Sequence, residues 1–451
     1  MSDPTDQSKP AGDQPARAAT TTPAKKPAGA AQTPPPSKWH DTFLRITQGN
    51  ALISVLAVVL ALIVGGIMIA ATDPEVQRTS VYFFARPGDM LVAIGNSVGG
   101  AYAALFRGSI YNFGAPDFAR GIRPLTETLT FATPLIAAGL GVALAFRIGM
   151  FNIGGRGQML MASAGAGWIA FGFDLPFPLH MALAVLVGML CGAIWGGIAG
   201  LLKARTGAHE VIVTIMLNYV AFYLISWMLR TPGLLQAPGS SNPKSPGMKE
   251  TAIFPDLLGP SYNLHFGFIL VILATVVVWW ILSRSSLGFK FRAVGENPNA
   301  ARVAGIDVKN MYVYGMLIAG ALAGLAGVNQ VLGTITTGFT AGIDAGIGFD
   351  AITVALLGRS TPWGTFAAGI LFGAFKAGGF AMQASQQIPI EIVTVVQSLI
   401  VLFIAAPPLV RTIFFLPSPE RDARRREKAR EKELKRKVDA DPSTDAQGVS
   451  A

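Results

Sequence analysis

The sequence predicts an all-α integral membrane protein: a polytopic bundle of about ten transmembrane helices with both termini cytoplasmic. Three observations predict it. First, 51% of the 451 residues are hydrophobic and only 14% are charged, where a soluble domain carries about 25% charged residues. The mean hydropathy is +0.47. Second, apolar runs close to the ~20 residues that a helix needs to cross the hydrocarbon core recur along the chain. Third, arginine and lysine gather in alternate short connections, which is how a chain is oriented in a bilayer. The net charge of +10 therefore reflects topology and does not indicate nucleic acid binding.

Residues 1–49 are rich in Pro, Ala, Thr, Lys and Asp with no apolar period, which predicts a disordered cytoplasmic tail. That polar stretch is too long to precede the apolar core of a cleavable signal peptide. The runs at 51–71, 125–146, 157–174, 180–202, 210–229, 265–283, 311–333, 364–381 and 390–411 read as spans. The shorter run at 346–358 reads as a broken or half helix. A crossing at 91–106 would break the parity of the count, so that run is expected outside the membrane, as an interfacial or re-entrant helix. The cytoplasmic connections then hold Arg147 and Arg156, Lys203 and Arg205, a cluster from Arg284 to Lys309, and Arg359. The transmembrane region covers 50–411, with a polar loop at 284–310, and a charged cytoplasmic tail covers 412–451. Within the tail, 418–438 interleaves Arg, Lys and Glu, as a solvated helix or a disordered segment does.

Small residues set the expected packing. Gly188, Gly192, Gly196 and Gly200 fall every four residues on one helix face, and Gly320, Gly324 and Gly327 form a similar stripe. Such stripes let two helix backbones approach closely. Polar groups at membrane depth pair with each other or line a water-filled path. The candidates for the path are Asn152 and Gln158, Thr214, Asn218 and Tyr219, Asp350, and Gln383. Asn329, Gln330, Asp344, Gln386 and Gln387 are further polar groups near span ends. Amides, hydroxyls and aromatics suit a polar uncharged solute with a ring-shaped face. An ion pump would show several buried carboxylates. Interhelical hydrogen bonding is the competing role for each amide.

The lone Cys191 excludes a cysteine cluster, and four scattered histidines make no metal-binding pattern. No metal site is expected. The stretch Gly358-Arg359-Ser360 lacks the lysine and upstream glycine of a phosphate loop, and neither H-E-x-x-H nor G-x-S-x-G occurs. A chain that does not catalyse a reaction, hydrolyse ATP or carry a cofactor is expected.

One polar segment stands out. In RAVGENPNAARVAGI, residues 292–306, Asn297 is a good N-cap and Pro298 suits the first helical position. Ala300, Ala301, Val303 and Ala304 continue a short helix, and Gly305 can end it. This is either a rigid handle for a soluble engine or an ordinary interhelical turn.

Four stretches together resemble one family: FNIGGRGQ at 151–158, GAHEVIVTIMLNY at 207–219, the segment at 292–306, and GFDAITVALLGRSTPWG at 348–364. The resemblance is to permease subunits of ABC importers in the branched-chain amino acid and ribose permease superfamily, nucleoside (simple-sugar) branch. It spans about residues 120–410. It implies a multi-pass subunit of the bacterial cell membrane that forms the translocation path for nucleosides. A separate cytoplasmic ATPase, carrying the ATP and magnesium, would drive it. An extracytoplasmic binding lipoprotein would feed it, and a second permease, homologous or identical, would pair with it. Glu296, Asn297, Pro298, Ala300, Ala301, Arg302 and Gly305 would form the coupling helix seated on the ATPase. FNIGGRGQ would fall at a cytoplasmic helix boundary, 210–219 along the path, and GFDAITVALLG near its centre. The family's usual acidic residue before Gly-Gln is replaced here by Arg156. The alternatives are a permease for ribose or another simple sugar, and an ion-coupled secondary transporter.

Overall fold

The computed structural model describes residues 50–415 and residue 431. The expectations for 1–49 and for the bulk of the charged tail lie outside the described residues. Among the described residues no strand forms beyond one antiparallel bridge between Asp256 and His265.

The chain opens with α1 (Asn50–Thr72), a short α2 (Pro74–Ser80) and α3 (Pro87–Ser109). Next come α4 (Phe118–Arg147), α5 (Gly155–Gly172), α6 (Leu179–Thr206), α7 (Glu210–Met228) and α8 (Gly267–Arg284). A helical elbow follows, α9 (Ser286–Glu296) and α10 (Pro298–Val303), before α11 (Val308–Asn329). A π turn (Gln330–Thr334) ends α11, and α12 (Ile347–Leu357), α13 (Pro362–Gln386), α14 (Ile390–Ala405) and α15 (Pro407–Ile413) complete the bundle. Side chains at several helix starts accept the orphan amides there: Asp117 from Arg120, Ser285 from Gly288 and Asp307 from Asn310. Gly207, in the left-handed region at φ 69°, closes α6.

Among the described residues, eight helices are long and apolar enough to cross a membrane. This differs from the expected ten in four places, three spans lost and one gained. The run at 157–174 becomes α5, whose first turn is Gly-Arg-Gly-Gln and whose body is rich in Ala and Gly. α12 has 11 residues, as a half helix would. α14 stops at Ala405, because prolines at 407 and 408 start a new helix. The run at 91–106 instead becomes the 23-residue α3, which joins the eight by length and hydropathy. Ser109 O, at its end, accepts from Thr128 Oγ1 at 2.6 Å, three turns inside α4. The chain then doubles back, with Asn112 N donating to Gly121 O at 2.9 Å in the first turn of α4.

The two glycine stripes find each other. A methyl group at Gly192 would sit 2.6 Å from Gly320 O and 2.7 Å from Gly324 Cα, and one at Gly196 would sit 2.6 Å from Met316 O. α6 and α11 therefore touch backbone to backbone, which is possible only without side chains there. α4, the longest helix, lies at the centre of the largest core cluster with α11, α12 and α13 around it.

Two helices begin in the interior. Asn218 lies two turns into α7, about 12 Å along its axis. Its Oδ1 accepts from Gly157 N at 2.8 Å, and its Nδ2 donates to Ile153 O at 2.9 Å. The start of α5 is thus held beside the second turn of α7, and FNIGGRGQ spans the helix boundary at Gly155. After Arg147 the chain turns through Gly149, at φ 77°, and runs without regular structure over 151–153 before α5 begins. α12 starts beside it: a methyl group at Gly348 would lie 2.6 Å from Arg156 Cα, and one at Gly155 would lie 3.2 Å from Gly348 O. Paired glycines let the two helix starts meet.

Candidate translocation site

A cavity of about 470 Å³ opens where α12 begins. α4 contributes Thr130, Phe131 and Pro134, and the π turn contributes Gln330 and Thr334. Gly346 and Asp350 come from the start of α12, Lys376 and Phe380 from α13, and Thr394 and Gln397 from α14. Gly346, at φ 78°, turns the chain into α12. That frees backbone at depth, which is tolerated where it lines a cavity.

The cavity's strongest polar feature is an ion pair: Lys376 Nζ lies 2.7 Å from Asp350 Oδ2, both partly exposed to the cavity. A lone charge inside a span is costly, whereas a pair facing a wet cavity is stable and accessible. Gln330 is held by a hydrogen bond from its Nε2 to Ile343 O at 3.2 Å. Thr130 Oγ1 donates to Thr126 O and Asn263 O. The cavity therefore presents a carboxylate, an ammonium, a hydroxyl and amides above an apolar floor.

Behind the cavity, a second pair ties the two interior helix starts. Arg156 Nε donates to Asp344 Oδ1 at 3.2 Å, and the guanidinium sits 5.0 Å over the Phe222 ring. Asp344 Oδ2 also accepts from Gly346 N at 3.3 Å, in the cavity wall. Arg156, where the resembled family carries an acid, thus pairs with an acid in the turn that precedes α12.

Of the seven path residues expected from sequence, only Asp350 lines this cavity. Asn152 and Gln158 bond to each other through both amide atoms at 3.1 Å and are buried. Thr214 bonds within its own helix, and Asn218 staples α5 to α7. Tyr219 is exposed on the outer face of α7, and Gln383 is exposed near the end of α13. Sequence reasoning missed Lys376, Thr130, Thr394 and Gln397. The signal was present for Lys376, a single charge in the middle of the 364–381 run.

The polar elbow lies at one end of the bundle. Asn297 Oδ1 accepts from Asn299 N at 3.0 Å and Ala300 N at 3.1 Å, as its capping role requires. Gly305 has φ 80°. Glu296, Ala300 and Arg302 are exposed, and Val303 is 91% exposed. Ala301 is only 3% exposed and faces the chain's own core. Among the described residues no group of three or more His, Cys, Asp or Glu could hold a metal ion.

A bundle of apolar helices that encloses a charged, polar cavity at two interrupted helices defines a membrane permease. Residues 125–405 match the family described as "Branched-chain amino acid transport system / permease component", and the chain belongs to that family. It is a permease subunit of an ABC importer and a multi-pass plasma-membrane protein. The guanosine ABC transporter permease protein NupP of Bacillus subtilis is 38% identical over 327 residues, 72% of this chain and 90% of its own. The nucleoside ABC transporter permease protein NupB of Lactococcus lactis is 36% identical, over 64% of this chain and 81% of its own. The glucose ABC transporter permease protein TsgB13 of Haloferax volcanii is 34% identical, over 62% of this chain and 75% of its own. No solved structure matches the chain.

Proposed function

We propose that this chain forms the translocation path for nucleosides, with the cavity at Asp350 and Lys376 as the solute site. The observation that carries the reading is that ion pair, set in a cavity of about 470 Å³, within the range of about 300–1,000 Å³ usual for small-molecule sites. Asp350 accepts hydrogen bonds from sugar hydroxyls, and Lys376 donates to ring nitrogens or carbonyl oxygens. The similarity to guanosine and nucleoside permeases supports the choice of solute.

A cytoplasmic ATPase carries the ATP and magnesium and seats the α9–α10 elbow. A binding lipoprotein delivers solute on the opposite face, and a second permease completes the path. Contacts on the page link the elbow to the cavity. A methyl group at Gly149 would lie 3.3 Å from Gly295 Cα, so α9 rests on the start of the extended segment. That segment leads through the Asn218 staple to Arg156, Asp344 and Gly346. A push on the elbow thus meets a continuous packed route to the cavity wall, whose two packings the ATPase biases.

The test is uptake of radiolabelled guanosine, other nucleosides and glucose in cells with and without this chain. ATP is depleted in one arm, and ion gradients are collapsed with ATP held in another. Nucleoside uptake that needs the chain and ATP is expected. Uptake that survives ATP loss but follows the ion gradient would overturn the importer mechanism. A sugar permease is the second reading, favoured by the glucose-permease relative; glucose uptake without nucleoside uptake would establish it.

A further inference from the structure

A second cavity, of about 740 Å³, lies beyond the first on the same two helices. It is lined by Arg107, Arg120, Arg123 and Glu127, and by Ala381 and Ser385 of α13. The two cavities share two residues, Phe131 and Phe380. Their rings stack with centroids 5.6 Å apart and planes inclined by 27°.

The order along each helix is what gives this meaning. On α4 the charged cavity is lined by Arg120, Arg123 and Glu127 and the inner one by Thr130 and Pro134, with Phe131 in both. On α13 the charged cavity is lined by Ala377, Ala381 and Ser385 and the inner one by Lys376, with Phe380 in both. The linings interleave by a residue or so around each phenylalanine, and these two rings are what the cavities share. The surroundings leave these rings room to turn. Phe380 is 50% exposed and follows Gly378 and Gly379, and Phe131 is half-buried with Pro134 one turn on.

We propose that the stacked Phe131–Phe380 pair is a gate, closed in this structure, between an arginine-lined vestibule and the solute cavity. The inference rests on the reading of the inner cavity as the solute site, but its test does not need the solute. Closed, the pair bars the passage of solute from the vestibule to the Asp350–Lys376 pair. Open, by rotation of one ring off the other, it joins two cavities that are already in line.

The chain's single cysteine makes the test direct. In a Cys191→Ala background, Ser385→Cys reports on the vestibule and Gln397→Cys, at a buried position of the lining, on the inner cavity. A membrane-impermeant maleimide is applied from the side that labels Ser385→Cys. With both phenylalanines present, Gln397→Cys is expected to label at least tenfold more slowly than Ser385→Cys. Phe131→Ala with Phe380→Ala removes that difference while Ser385→Cys keeps its rate, which shows that the protein remains folded. Should the double variant fail to accumulate, Phe380→Ala alone, at the half-exposed position, is expected to speed Gln397→Cys labelling several-fold. Equal labelling of the two cysteines with the gate intact would overturn the proposal. So would slow labelling of Gln397→Cys that persists in a well-folded gate variant. A gate that behaves as expected in a chain that imports no nucleoside would keep this inference and remove the choice of solute.

Discussion

Lys376 and Asp350 show how much one pair of side chains decides. Removing one partner leaves a charge in a low-dielectric wall, which costs up to about 3–5 kcal/mol when burial is complete and less for a pair that is part-exposed. Lys376→Met is therefore expected to lower nucleoside uptake at least about tenfold and to depress the melting temperature in detergent. Lys376→Met with Asp350→Asn is expected to restore the melting temperature but not uptake, because the recognition groups are gone. Full uptake in either variant would remove the pair from the solute site. His265, just before α8, carries a different prediction. It is 2% exposed, and its Nδ1 accepts from Gly267 N at 3.2 Å. Burial pushes its imidazole down to about 4 from the usual 6.5. Between those values the unfolded chain binds the proton and the folded chain does not, so this contribution to stability is complete above pH 6.5 and is lost as pH falls towards 4. Melting curves across that window are expected to fall more steeply for the natural chain than for His265→Gln; parallel curves would count against it.

At the scale of elements, the α9–α10 elbow separates residues that serve the fold from residues that serve a partner. Ala301 is turned inward beside Phe291 and Val294 in the core, whereas Val303 projects into solvent. Ala301→Leu is expected to overpack the elbow by about 1–3 kcal/mol and reduce the amount of protein in the membrane. Val303→Asp is expected to leave that amount unchanged while the ATPase fails to copurify and uptake is lost. Retained copurification with Val303→Asp would place the ATPase contact elsewhere. The capped start of this helix at Asn297 and its end at Gly305 were legible from sequence, because capping is a local interaction. The inward turn of Ala301 was not, because it depends on residues of α9 and α11 that fold over it.

At the scale of the molecule, the two interior helix starts are the joint on which the bundle turns. α5 and α12 are far apart in sequence, yet Arg156 and Asp344 pair where they meet. Reversing one charge sets like charges against each other, so Arg156→Asp is expected to abolish uptake. Arg156→Asp with Asp344→Arg is expected to recover a substantial part of it, read as initial rate normalised to membrane protein. No recovery, with the double variant stably inserted, would mean that the pair does not act as a tie between the two helices. The same joint explains why three of the seven expected path residues act as staples. Asn152 accepts from Gly154 N and Asn218 bonds to Gly157 N and Ile153 O, while Gln158 holds Asn152 in place, so backbone groups at this buried turn are satisfied.

Composition and local pattern fix the membrane class, the helical architecture, the two glycine stripes, the half length of α12 and the capped elbow, though not that the two stripes meet. Each of these follows from composition, from a short period or from neighbours within a few residues. The resemblance of four motifs also identified the permease family. The packing of distant helices settles which polar groups face a cavity, that Lys376 meets Asp350, that the end of α3 contacts α4, and that two phenylalanines lie between two cavities. The physical reason is that hydropathy fixes how deep a residue lies but not which way it points around its helix. That direction is set by helices packed from elsewhere in the chain.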